Sequence, residues 1–196
     1  MQSYNGDAGR TLRDRLRVDT ALKHELVDQV YSSLDLTQRR DLRVFLAAQA
    51  QVLGAIRCRP GQHSAAAEEL RQRLVAAHDA DLHDLGGRPD SSMPTRQLDG
   101  TAVLYILLGS SLGAQVLRRR WLEATDPLVA TAGHYLQLAL PRDAWRELCF
   151  ELSQRPSQGT LSDEIVCDAE TLFDLHLSIL SDRSSAGKDT GMAFAN

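Results

Sequence analysis

Apolar residues recur along most of this chain at intervals of three and four, the period of one face of an α-helix. No stretch alternates apolar and polar residues over the length a strand requires. The pattern predicts an all-α chain with helices over 11–31, 37–57, 64–85, 99–124, 129–139, 141–154 and 162–181. Several ends carry a start or stop signal. Thr11 followed by Asp14 is a short capping box, Gly86-Gly87 ends the third helix, Pro141 suits a first turn, and Thr160 with Asp163 can cap the last helix. Arg88 to Leu98, with Pro89 and Pro94, is the clearest loop. With no internal repeat and no boundary signal, residues 11–181 are expected to form one domain. A flexible N-terminus (1–10) and a mobile tail (182–196) rich in Ser, Gly, Lys and Asp flank it.

In the first helix Val18, Leu22, Leu26 and Val30 make an apolar stripe, which is expected to face the core. His24 falls on the opposite side with Thr20, Val27 and Tyr31, and Arg13 and Arg17 project there too. A helix apolar on two sides is usually sandwiched between two things. Arg17 precedes His24 by two turns, so the side chains leave the helix within about 20° of each other and ~10.5 Å apart along its axis. An imidazole at the centre of a metal-bearing ring, with a guanidinium at the ring's edge, suits an iron porphyrin with carboxylate arms. A packed, hydrogen-bonded histidine is the other reading.

A second unusual stretch is LYILLGSSLGAQVL, Leu104 to Leu117, which sets Gly109 and Gly113 one turn apart in a helix that otherwise reads as buried. Each glycine costs a helix interior about 1 kcal/mol against alanine. A helix carries two in one turn mainly when something approaches its backbone closely. Tyr105 lies on the same stripe. The approaching body is another helix, a membrane partner or a flat ligand. The uncharged run Thr101 to Leu117 spans only about 25 Å against a hydrocarbon core of ~30 Å, and Thr101, Ser110, Ser111 and Gln115 dilute it. No membrane span is expected.

Composition narrows the remaining classes. At 196 residues with a net charge of −4, the chain has no general nucleic-acid footprint, and Arg118 to Arg120 reads as a solvated helix end. Cys58, Cys149 and Cys167 fall in helical stretches without CxxC spacing, which suits idle thiols in a reducing compartment. The opening residues MQSYNGDAGR hold no apolar run, so a cytoplasmic setting is expected. His78 and His83 are five apart and poorly aligned for a shared metal, while His63, His134 and His176 are single. No HExxH, GxSxG, P-loop or dinucleotide-binding glycine pattern is present, so zinc, hydrolase and nucleotide-dependent chemistry have no foothold in the sequence.

LRVDTALKHELVD (16–28) resembles the proximal-helix motif of heme oxygenases, where a leucine, a threonine and the iron-ligating histidine recur at these positions. YILLGSSLGAQVL (105–117) resembles the distal-helix motif of the bacterial members: an aromatic, then Gly-Ser, then Leu-Gly-Gly. HDADLHDLGG (78–87) is similar to the end of the family's third helix, and AWRELCFEL (144–152) to a later one, so that the resemblance runs in order over about residues 10 to 180. It implies a single-domain multihelical fold with heme sandwiched between a proximal and a distal helix.

By the same resemblance His24 ligates the iron, Gly109, Ser110 and Gly113 shape the catalytic distal side, and Arg17, Thr20, Tyr105, Gly109, Gly113 and Arg146 line the cofactor. Heme would be both cofactor and substrate, cleaved to biliverdin, ferrous iron and carbon monoxide with molecular oxygen. Electrons would come from an external ferredoxin or flavin reductase, since the chain has no redox motif of its own. Two departures stand out. Ala114 replaces the usual second glycine, and Ser110 stands where vertebrate members have an aspartate. A non-catalytic heme-binding or sensing protein, and a helical interaction protein that lost the cofactor, are the alternatives.

Overall fold

The computed structural model describes residues 10–88, 93–140 and 143–189. Nearly all of the expected flexible N-terminus, Pro141, part of the Arg88–Leu98 loop and the end of the expected tail lie outside them. Among the described residues the chain forms eight helices: α1 (Leu12–Asp19), α2 (Ala21–Ser32), α3 (Arg39–Gly54), α4 (Ser64–Asp84), α5 (Gly100–Trp121), α6 (Pro127–Thr131), α7 (Ala144–Leu152) and α8 (Thr160–Asp189). The all-α expectation holds with one small addition. Strands β1 (Ile56–Cys58) and β2 (Arg96–Leu98) pair in parallel, Ile56 opposite Arg96 and Cys58 opposite Leu98. Three-residue strands are too short to show alternation, so periodicity could not reveal them. Cys58 therefore sits in a strand, where burial pushes its thiol up to about 11 and keeps it protonated at neutral pH.

Several local signals act as read. Thr11 and Asp14 form the reciprocal capping box of α1. Gly86, at φ +69°, closes α4 in a Schellman motif, with Gly86 N–H donating to the His83 carbonyl at 2.9 Å and Gly87 N–H to that of Leu82 at 2.7 Å. Other boundaries moved. The first helix bends at Thr20, whose hydroxyl donates back to the Leu16 carbonyl at 2.7 Å, a bond that often bends helices. The expected 129–139 helix ends at Thr131. Beyond it the buried carboxylate of Asp81 accepts the N–H groups of His134 at 2.6 Å and Tyr135 at 2.9 Å, holding the chain in turns. α8 continues to Asp189, eight residues past the expected end at 181.

α8 is the spine on which α1, α2, α3 and α5 all pack, and α4 lies between α3 and α5. The orientation of the first helical segment corrects the sequence reading. Its core face is Leu12, Leu16, Thr20, Val27 and Tyr31, whereas Val18, Leu22 and Leu26, expected inside, are 54%, 68% and 40% exposed. Polar Thr20 and Tyr31 can be buried because each has a partner: Thr20 the Leu16 carbonyl, Tyr31 the Nδ1 of His176 on α8 at 3.0 Å. Lys23 adds ion pairs to Glu170 and Asp174 of α8.

α5, at 22 residues, is by length and composition long and apolar enough to cross a bilayer, longer than its uncharged run suggested. Its first half, including Ala102, Val103, Ile106 and Leu107, is buried in the protein core. Its second half is mostly exposed.

Two histidines are buried with an aromatic cluster. His78 lies against Tyr135 with ring centroids 4.2 Å apart, and Tyr31, beside His176, meets Phe45 edge-on at 5.3 Å. His78 Nδ1 donates to the Leu74 carbonyl at 2.6 Å, and its Nε2 has no partner among the described residues. Burial lowers both imidazoles to about 4, and for His176 the nearby His78 adds to the shift. Unfolded histidine takes a proton near 6.5, so between these values the unfolded chain binds protons that the folded chain refuses. Stability is therefore complete above about pH 6.5 and is lost as the pH falls toward 4, by on the order of 2–3 kcal/mol per imidazole. Urea unfolding at pH 7.5 and pH 5 should show this loss, and His78→Leu should roughly halve the difference.

Candidate functional site

α1, α2 and α5 each pack on α8, and the space over α8 between α1–α2 and α5 is the candidate cleft. At one end of the cleft Arg13 and Arg17 of α1 lie near the Tyr105 hydroxyl of α5. Burial and the neighbouring Cys149 push the Tyr105 phenol up, and the two guanidiniums pull it back. Arg13 also hydrogen-bonds the Cys149 thiol. At the other end Arg120 of α5 donates to the Ser32 carbonyl of α2 at 3.4 Å. Arg17 with Tyr105 and Ser32 with Arg120 are both pairs 88 residues apart in sequence. The two pairs show that α1–α2 and α5 run in the same direction.

His24 stands on the rim of the core face, 57% exposed. Its ring meets Phe173 of α8 edge-on at 5.6 Å, and its Nδ1 pairs with Asp28 at 3.1 Å. Nε2 has no partner among the described residues. One nitrogen oriented by a carboxylate and the other open is the arrangement of a metal-ligating imidazole with its outer-shell support. The Asp28 partnership sits at helical i,i+4 spacing, a signal present in the sequence but unused there. Phe173, a residue of α8, had no such signal.

The two glycines differ. A Cβ on Gly109 would lie 3.3 Å from the Trp145 ring, so this glycine serves close packing of α5 on α7. Tyr105 meets the same indole at a tilt of 45°, centroids 5.2 Å apart. Among the described residues nothing lies within 4 Å of where a Cβ on Gly113 would sit, so close helix packing does not account for this glycine. Ser110 and Ser111 turn their hydroxyls onto the Leu107 and Leu108 carbonyls of their own helix, at 2.9 and 2.5 Å. Thr20, expected to line a cofactor, is buried with its hydroxyl already engaged. Arg146, the expected second propionate partner, is exposed and paired with Asp143 at 2.8 Å. Arg13 occupies the place beside Tyr105 that a second cation at the cleft's edge would need.

Two other groupings lie outside the cleft. A cavity of about 340 Å³ between α4, α5 and α7, lined by Leu70, Leu104, Leu108 and Leu148, includes none of the expected site residues. Asp81, Asp84 and His134 bring possible ligand atoms within 4.8 Å of one another. Both Asp81 oxygens already accept backbone N–H groups there, so the grouping reads first as the clamp on the α6–α7 connection. Comparison of the chain with models of known protein families, with curated proteins and with solved structures finds no match.

The glycine contrast is measurable without any ligand. Gly113→Ala adds a methyl to open space and removes the glycine penalty, so thermal unfolding should move upward by the equivalent of up to about 1 kcal/mol. Gly109→Ala presses a methyl on Trp145, and its propensity gain should be reduced or reversed.

Proposed function

We propose that this chain is a heme oxygenase, with heme as both bound cofactor and substrate, in the cleft between α1–α2 and α5. The observation that carries the proposal is His24, largely exposed, with its Nδ1 held by Asp28 and its Nε2 without a partner among the described residues. On α5, which runs in the same direction, nothing described lies within 4 Å of where a Cβ on Gly113 would sit. The residues fit the group: an imidazole nitrogen donor for iron, a glycine backbone on α5, and two guanidiniums near Tyr105 for carboxylate arms. Bound heme would supply the iron and the ring that is cleaved, using molecular oxygen and electrons from an external ferredoxin or flavin reductase, to give biliverdin, ferrous iron and carbon monoxide.

The chain's own part is positioning. Asp28 holds the His24 ring and sharpens its Nε2 as a donor, and Phe173 supports the ring from the side. Arg13 and Arg17 set the rotation of the ring by its propionates. Trp145, packed on Gly109 and Tyr105, keeps the start of the distal wall in place. Gly113 leaves room on the distal side. A cytoplasmic setting fits this chemistry. The second reading, a heme-binding protein without turnover, is favoured by one feature: the Ser110 hydroxyl is spent on the Leu107 carbonyl, away from any distal water network.

Hemin titration followed by a reductant and oxygen separates these readings. The enzyme should show a Soret shift and then yield a green tetrapyrrole with carbon monoxide, whereas binding without turnover would leave the second reading and no Soret shift would overturn both. His24→Ala should lose the imidazole ligation and nearly all turnover. The melting point of the ligand-free protein should move little, because the side chain is largely exposed. Arg13→Ala and Arg17→Ala should each weaken hemin binding a few-fold and broaden the mixture of biliverdin isomers, as expected for solvent-exposed charge pairs.

A further inference from the structure

A second cavity, of about 650 Å³, lies between the start of α3 and the end of α4, and four of its eight lining residues are arginines: Arg39, Arg40, Arg43 and Arg88. Val44, Ala47 and Leu82 supply its apolar part. All four arginines are exposed, in a chain whose net charge is −4. Arg39 is engaged by both carboxylate oxygens of Asp126, at 2.8 to 3.1 Å. Arg40, Arg43 and Arg88 have no carboxylate partner among the described residues. Arg40 and Arg43 are three apart on α3, and Arg39 and Arg43 four apart, spacings at which like charges repel and destabilise a helix. Asp126 already offsets it for Arg39, and an anion held between Arg40 and Arg43 would offset the rest.

The frame behind the arginines is stiff. The Schellman closure of α4 sets the direction of the chain into Arg88. A Cβ on Gly87 would lie 3.3 Å from the Leu82 carbonyl and 3.5 Å from Nε and Nη2 of Arg43, so that guanidinium lies beside the closure of α4. Guanidinium forks pair with phosphate oxygens two at a time. A concave site of this size, with apolar floor and convergent cations, suits a small molecule better than a flat macromolecular surface. We propose that this cavity binds a small anion carrying two or more phosphate groups, in a site separate from the α1–α2/α5 cleft and independent of what that cleft binds.

Titration calorimetry and thermal unfolding of the full chain at low ionic strength, with inorganic pyrophosphate, ATP and adenosine in turn, test this. Pyrophosphate and ATP should bind and raise the melting temperature, and adenosine should not. Tighter binding of ATP would mean that the apolar floor recognises an organic ester, and equal binding that the phosphates alone are read. Arg43→Gln and Arg88→Gln should each weaken binding at least tenfold while keeping the far-ultraviolet circular dichroism of the parent. Arg119→Gln, on the exposed end of α5, should leave it unchanged. The proposal is overturned if neither phosphate compound binds, if both cavity variants bind normally, or if Arg119→Gln loses as much as they do. It is equally overturned if heparin binds through these arginines and the small phosphates do not, which would make the cavity part of a macromolecular surface.

Discussion

One hydrogen bond, from the Tyr31 hydroxyl to the imidazole of His176, decides how the first helical segment is turned against the protein. Both groups are buried, and a buried hydroxyl or imidazole left alone would cost far more than the bond itself contributes. With Tyr31 facing α8, the three- and four-residue period carries Val27, Thr20, Leu16 and Leu12 inward. The same rotation turns Val18, Leu22 and Leu26 outward. It also leaves His24 largely exposed beside Phe173 of α8 and sets Arg17 near Tyr105 of α5. The candidate site is thus a consequence of a polar contact in the core.

α8 carries both the α1–α2 segment and α5. α5 enters the core as an apolar helix and leaves it as an exposed one, and the change comes within the glycine stretch. Gly109 still belongs to the packed half, where the Trp145 ring leaves no room for a methyl without adjustment. One turn later Gly113 belongs to the open half. Two residues of the same type, on one stripe of one helix, therefore answer to different constraints.

Charge is distributed with the same economy. The cations near Tyr105 mark one end of the cleft, and the arginine-lined cavity lies at the opposite end of the walls, where Asp126 after α5 engages Arg39. Arg118 to Arg120 add a third basic group at the end of α5, favourable there against the helix dipole. The buried histidines carry no charge at neutral pH and so do not contribute to this field.

Sequence alone determined what depends on neighbours within a turn: the helical period, the Thr11 capping box, the Gly86-Gly87 closure, the two-turn spacing of Arg17 and His24, and the glycine pair on one face of α5. It also held the His24 to Asp28 spacing. Tertiary structure decided what depends on contacts across the chain. Hydrophobic counting favoured Val18, Leu22 and Leu26 as the core stripe, because a sequence window cannot see that His176, some 145 residues away, makes Tyr31 buriable. In the same way Asp81 converted an expected helix into turns, Arg13 rather than Arg146 came to lie beside Tyr105, and Arg88 joined the arginines of α3. Periodicity reports which residues share a face; the partners that face will meet, and hence which face is buried, are set by packing between segments distant in sequence.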